Sequence, residues 1–212
     1  MNDDNFSRSA DAGPSLFSIA YLPPVSYVKA LLHAEEIIIE SKEHFVKQTY
    51  RNRCHIFGAN GRLPLIIPLS HSGLFSKAIE DIEMITEERW KIIHWRSIIS
   101  SYRRSPFFEY YEDELKELFY SNESNLFKFN INCLELIFRI LKRPLRYKLT
   151  DQYKKDISFT DLRDSFNPKK KAPSSLSKYH QVFENEHGFI EDLSILDVIC
   201  NLGPDSISYL YQ

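Results

Sequence analysis

The chain has 212 residues, 43% hydrophobic and 14% aromatic, enough apolar material for one substantial domain and too much for general disorder. Its 27 Lys and Arg against 29 Asp and Glu leave a net charge of −2, without the basic stripe of a nucleic-acid binder. No run approaches the roughly 20 apolar residues that span a bilayer, the polar start is no secretory signal, and three scattered cysteines suit a reducing compartment, so a cytoplasmic protein is expected.

Residues 1–14 read as a disordered tail and 15–212 as a single α/β domain. LFSIAYLPP (16–24) reads as a short buried strand stopped by Pro23 and Pro24, which fix φ and supply no amide donor. VSYVKALLHA (25–34) places Val25, Val28, Leu31 and Leu32 at helical spacing. EEIIIE (35–40) holds the continuous apolar triplet of a strand buried on both faces. Together they make a βαβ unit with a right-handed crossover. RCHIFG and RLPLIIPL flank Ala59-Asn60-Gly61, and Asn-Gly suits the positive φ angles of a type I′ hairpin turn.

A loop over 70–85 leads into helices. TEERWKIIHWRSIISSYRR (86–104) opens with Thr86 as cap and closes on two arginines. SPFFEYYEDELKELFY (105–120) offers Ser105 as cap and Pro106 at the first helical position. SNLFKFNINCLELIFRILKR (124–143) is a third helix, broken by Pro144. Residues 167–177, with three consecutive lysines, read as a mobile solvated loop or as a lysine-rich lid over an anionic ligand. LSILDVICNLGPDSISYLY (193–211) reads as a short helix from Ser194, stopped by Gly203-Pro204, then a last apolar strand or turn. The fold class expected is therefore α/β: an N-terminal βαβ unit with a short β-hairpin, followed by a mainly helical half.

Familiar site chemistries are poorly represented. Cys54 and His55 are adjacent and point to opposite faces of a strand, and no Cys-x-x-Cys or His-Glu-x-x-His is present, which disfavours zinc. GANGRLP lacks the lysine and hydroxyl of a Walker loop, and YLPPV lacks the glycines of a Rossmann fingerprint. LSHSGLF lacks the first glycine of a serine-hydrolase elbow.

Residues 47–53 are more informative. In an extended segment Arg51 and Arg53 share a face, with Asn52 opposite and Lys47 just upstream. An unpaired buried arginine costs about 3–5 kcal/mol, so both must reach solvent, a carboxylate or an anionic ligand. Two readings follow: an internal network with Glu35, Glu36, Glu40 or Glu43, or a phosphate- or carboxylate-binding site facing the loop 21–24 at the carboxyl ends of adjacent parallel strands. His94 lies on one helix face with Trp90, Ile98 and Tyr102, as a core imidazole or as an acid/base group; His44 is the alternative base.

AYLPPVSY, KQTYRNRCHI with NG and LIIPL, the Trp90–His94–Tyr102 face with SPFFEYY, and the terminal GPDSISYL together resemble the WbqC-like family over about residues 16–211. The resemblance implies a role in bacterial O-antigen and surface-polysaccharide biosynthesis, as a transferase of aminoacyl or acyl groups, glycine among them, onto a sugar. The alternative is a non-catalytic ligand-binding or scaffold protein of such a pathway. The implied partner is a small molecule such as a nucleotide-sugar or an activated amino acid. Motif positions matched are Tyr21, Pro23, Tyr27, Lys47, Arg51, Asn52, Arg53, Asn60, Trp90, His94, Tyr102, Pro106 and Phe108. Of these, Tyr21, Tyr27, Lys47, Arg51, Asn52, Arg53 and Tyr102 are the candidate ligand-binding residues, with His94 and His44 as candidate catalytic bases. Where many members carry Gln-Pro ahead of Tyr-Leu-Pro, this chain has Ser18-Ile19.

Overall fold

The computed structural model describes residues 13–71, 74–87, 89–170, 172 and 176–212. Residues 1–12 of the expected tail, and 171 and 173–175 of the expected lysine-rich loop, lie outside the described residues.

The expected βαβ unit is present. β1 (Ser15–Ser18) and β2 (Ile37–Glu40) pair in parallel through α1 (Val25–His33), with Ser15 opposite Ile37 and Ser18 opposite Glu40. Prolines 23 and 24 end the first segment, and Pro24 occupies the cap position of α1 without a capping side chain. Asp192, from far along the chain, serves instead: Oδ1 accepts from Ser26 N at 2.8 Å and Oδ2 from Ser26 Oγ at 2.9 Å. A carboxylate at this position also favours the positive end of the helix dipole.

β3 (Arg53–Gly58) and β4 (Gly61–Ile66) form the expected antiparallel hairpin as a separate two-stranded sheet. Its turn differs from expectation. Ala59 and Asn60 keep negative φ and the positive value, +95°, falls on Gly61, the pattern of a type I turn followed by a glycine bulge rather than type I′.

The helical half consists of α2 (Arg89–Tyr102), α3 (Phe108–Phe119) and α4 (Leu126–Ile140), then α5 (Glu184–His187), α6 (Ile195–Leu202) and α7 (Ser206–Leu210). Ser105 does not cap α3. Its Oγ donates to Tyr102 O at 2.6 Å, finishing α2, and α3 begins only after Phe107. Asn125 caps α4, accepting from Lys128 N at 3.0 Å. α4 ends before Pro144 in a Schellman arrangement, with Lys142 N donating to Arg139 O (3.0 Å) and Arg143 N to Phe138 O (2.9 Å). The terminal segment is helical, not a strand.

The same half also contributes two strands that no local pattern announces. β5 (Tyr147–Leu149) and β6 (Thr160–Asp161) extend the first sheet to the order β5-β2-β1-β6, all pairs parallel. The core is aromatic: Phe129 sits 5.7 Å from Trp90, and Trp95 lies 6.2 Å from Phe108 and 6.0 Å from Phe119. Cys54, Cys133 and Cys200 are free and buried, and burial pushes each thiol pKa up, so all three stay protonated packing groups near neutrality. Among the described residues no helix is long and apolar enough to cross a membrane.

Candidate functional site at the carboxyl edge of the parallel sheet

Four parallel strands bring four carboxyl ends to one edge, where open α/β sheets receive ligands. The loops leaving β1 and β2 meet there, joined by Tyr21 N donating to Tyr50 O at 2.8 Å. Each holds a non-glycine residue at positive φ: Leu22 at +36° and Gln48 at +60°. Such conformations cost of the order of 1–3 kcal/mol each and persist where surrounding structure enforces them.

A buried charge network occupies this edge. Arg51 grips Glu43 with both ends of its fork, Nε to Oε1 at 2.8 Å and Nη2 to Oε2 at 2.5 Å, and Nη2 also reaches Ser18 Oγ at 2.7 Å. Ser18 Oγ lies 3.1 Å from Glu43 Oε2 and 3.2 Å from Arg163 O, and its single proton serves one of them. Arg163 binds Glu40 through Nη1 at 3.2 Å and Asp161 through Nε at 3.0 Å and Nη2 at 2.6 Å. Glu40 Oε1 accepts from Thr150 Oγ1 at 2.5 Å and from Lys42 N at 2.8 Å. Two guanidiniums thus meet three carboxylates. Hydrogen bonding to Arg163 holds the Asp161 carboxyl below the usual carboxylate range. Tyr27 OH fastens the network to α1 by donating to Ser18 O at 2.9 Å.

Two hollows adjoin these charges. A cavity of about 10 Å³ between Ser18, Tyr27, Tyr50, Arg51, Arg163 and Phe166 has room for about one water. A larger cleft of about 220 Å³ opens beside Glu40. Leu16, Ile38, Leu149, Ile157 and Phe159 give it an apolar floor, and Glu40, Thr150, Asp151, Gln152 and Lys154 supply polar groups. Glu40 therefore belongs to both the network and the cleft wall.

The residues expected from sequence separate into four places. Arg51 and Tyr27 join the network. Tyr21, His94 and Tyr102 lie in the interior: Tyr21 OH is 2.9 Å from His94 Nδ1, while Tyr102 OH accepts from Phe57 N at 3.4 Å. Burial lowers the His94 pKa to about 4, partly opposed by a hydrogen bond to the Ile66 backbone, so the ring is neutral near pH 7. His44 and Lys47 are exposed around Phe75, with His44 Nδ1 3.0 Å from its carbonyl and Lys47 Nζ 4.3 Å above its ring. Arg53 opens β3, where burial lowers its pKa and leaves Nε without a hydrogen-bond partner. Arg51 and Arg53 do not share a face, because Arg51 sits in a turn and the extended backbone begins only at Arg53. Asn52 holds that turn by donating to Ile67 O at 2.9 Å, and Asn130 does so by donating to Arg51 O at 2.7 Å.

Thr150, Asp161 and Arg163 were not singled out from sequence, whereas Glu40 and Glu43 were expected as possible partners of the arginines and Ser18 was noted only as a departure from the family pattern. Glu40 had a usable signal, a carboxylate directly ending a buried apolar triplet. Arg163 had none, because its place depends on a two-residue strand. Among the described residues no three His, Cys, Asp or Glu side chains come together as a metal site.

The profile of the WbqC-like protein family matches residues 20–165, spanning the charge network except Ser18 and the cleft except Leu16. No curated protein and no solved structure matches the chain.

Proposed function

The chain belongs to the WbqC-like protein family, and from that premise we propose that it is a group-transfer enzyme attaching an aminoacyl or acyl group, glycine among them, to a sugar. Family membership suggests a role in polysaccharide biosynthesis; the transfer reaction and its bacterial surface-polysaccharide setting are our reading. The observation that carries it is the cleft at the carboxyl edge, which combines an apolar floor with carboxylate, amide, hydroxyl and ammonium groups. A pyranose has the same two characters, a C–H face that packs on Phe159 and hydroxyls that bond to Asp151, Gln152 and Lys154.

In the transfer, the acceptor nitrogen or oxygen attacks the acyl carbonyl, the new bond forms and the bond to the donor's leaving group breaks. The acceptor proton passes to a base. Of the two histidines expected as bases, His44 is exposed on the loop leaving β2 and His94 is enclosed, and neither lines the cleft. Arg51 and Arg163 order the edge rather than supply free charge, since carboxylates already hold both. That prior pairing favours, as a second reading, a ligand-binding or scaffold protein that performs no transfer.

Saturation-transfer NMR with nucleotide-activated amino sugars tests the cleft. The sugar-ring protons should saturate with wild-type protein and lose most of that signal with Phe159→Ala. An undiminished signal in a folded Phe159→Ala protein would place the sugar elsewhere and refute the assignment.

A further inference from the structure

Another hollow, of about 480 Å³, lies where the start of α3, the end of α4 and the Gly203–Asp205 turn meet. That volume falls within the range of small-molecule pockets. Its walls are mainly apolar, from Phe107, Tyr110, Tyr111, Ile140, Leu141 and Ile207. Tyr110 is 76% exposed, so the trough opens to solvent along an aromatic edge. Among the described residues no carboxylate lines it, while Lys142 and Arg143 do. Arg143 rests 5.8 Å from the Tyr211 ring, which holds one cation at this end of the trough.

Two backbone features build this shape. Gly203 has φ +53°, and a Cβ there would come within 2.4 Å of the Phe107 ring. The absence of a side chain thus lets Phe107 lie flat as a wall. Lys142 has φ +54° at the position after the α4 cap where a Schellman motif ordinarily places glycine. A lysine there carries a steric cost that glycine avoids. Favourable interaction with the helix dipole does not account for it, because Arg139 and Arg143 already bracket the same carbonyl end. At this strained position Lys142 lines the apolar trough beside Arg143.

We propose that this trough binds a free amphiphile made of one aliphatic chain and an anionic phosphate or carboxylate head. The chain lies along the aromatic and aliphatic walls, and the head meets Lys142 and Arg143 through charge-assisted hydrogen bonds. A concave trough encloses a single chain, whereas a bilayer surface is met by apolar side chains that protrude. The site is independent of the cleft beside Glu40, and Gly203, Pro204 and Ile207 lie beyond the family-matching residues.

Calorimetric titration of the full chain with n-decyl phosphate below its micellar concentration tests the proposal, with 1-decanol as the uncharged control. The wild type should bind decyl phosphate saturably, more weakly at high salt, and more tightly than decanol. Lys142→Gly should melt no lower than wild type, because the backbone strain is relieved, yet bind decyl phosphate about tenfold more weakly with decanol binding unchanged. Ile207→Glu should weaken both ligands. Equal affinity of wild type and Lys142→Gly for decyl phosphate would overturn the proposal. So would binding confined to phosphatidylglycerol vesicles, with none to the monomeric amphiphile.

Discussion

Replacing Arg51 with alanine tests the charge network at the more enclosed of its two arginines. Arg51 and Glu43 side chains are only 5% and 7% exposed, and the substitution strips Glu43 of both guanidinium bonds. Among the described residues Ser18 Oγ, 3.1 Å away, is then the one hydrogen-bond partner left to the carboxylate. Removing one partner of a buried ion pair costs about 3–5 kcal/mol. With a urea slope of roughly 2 kcal/mol/M, the unfolding midpoint should fall by about 1.5–2.5 M. Water entering the adjoining cavity of about 10 Å³ would place the result near the lower end. The control is the double variant Arg51→Met/Glu43→Leu, which removes both charges together. It should be more stable than Arg51→Ala alone, because no buried carboxylate is stranded. Urea titrations followed by tryptophan fluorescence supply the numbers. An Arg51→Ala midpoint within experimental error of wild type, with additive effects in the double variant, would refute the reasoning. Of the two readings the sequence leaves open, a ligand-binding Arg51 would lose binding on this substitution and keep the fold, whereas an internal pair with Glu43, the reading the structure shows, loses stability.

Three further outcomes are expected. His94 has its pKa lowered to about 4, against about 6.5 when unfolded. Between those values the unfolded chain binds the extra proton, so stability falls as pH drops, by roughly 3 kcal/mol at pH 4. Urea midpoints should therefore decline more steeply in wild type than in His94→Gln, and parallel profiles would contradict the assignment. Asp197 behaves in the opposite sense: burial raises its pKa to about 6, so it costs stability as pH rises through the interval from about 4 to 6. Asp197→Asn should gain up to roughly 3 kcal/mol relative to wild type across that window, and a constant difference would count against it. Asn125→Ala removes the cap on Lys128 N and the 2.7 Å bond to Glu80 O. It should cost about 1–2 kcal/mol, seen as a fall of roughly 2–8 °C in thermal midpoint; an unchanged midpoint would show that the cap contributes nothing.

Features set by local chemistry were legible in the sequence, and features set by long-range pairing were not. The Ile37–Ile39 triplet and Pro23-Pro24 mark β2 and the end of the first segment because burial on both faces and a missing amide donor act locally. β5 and β6 are short strands whose pairing to β2 and β1 comes from the assembled sheet, and β propensity is weak evidence without that context. The same limit hid Arg163, whose role exists only once β6 lies beside β1. Ser105-Pro106 carries a helix-start signature, but its hydroxyl is taken by the preceding helix. The proximity of the loops after β1 and β2 was legible from topology, whereas the direction of Arg51 depended on a turn that Asn52 and Asn130 pin from outside the segment.

The proposed transfer is tested most directly by mass-spectrometric turnover. Purified protein is incubated with nucleotide-activated amino sugars and, in turn, aminoacyl-tRNA, aminoacyl adenylate and acyl thioester donors. A sugar product heavier by one acyl group is predicted with wild type, and its loss in folded Phe159→Ala and Asp151→Asn proteins. Sugars recovered unaltered from wild type with every donor, although bound, would contradict the transferase and leave the scaffold reading in its place.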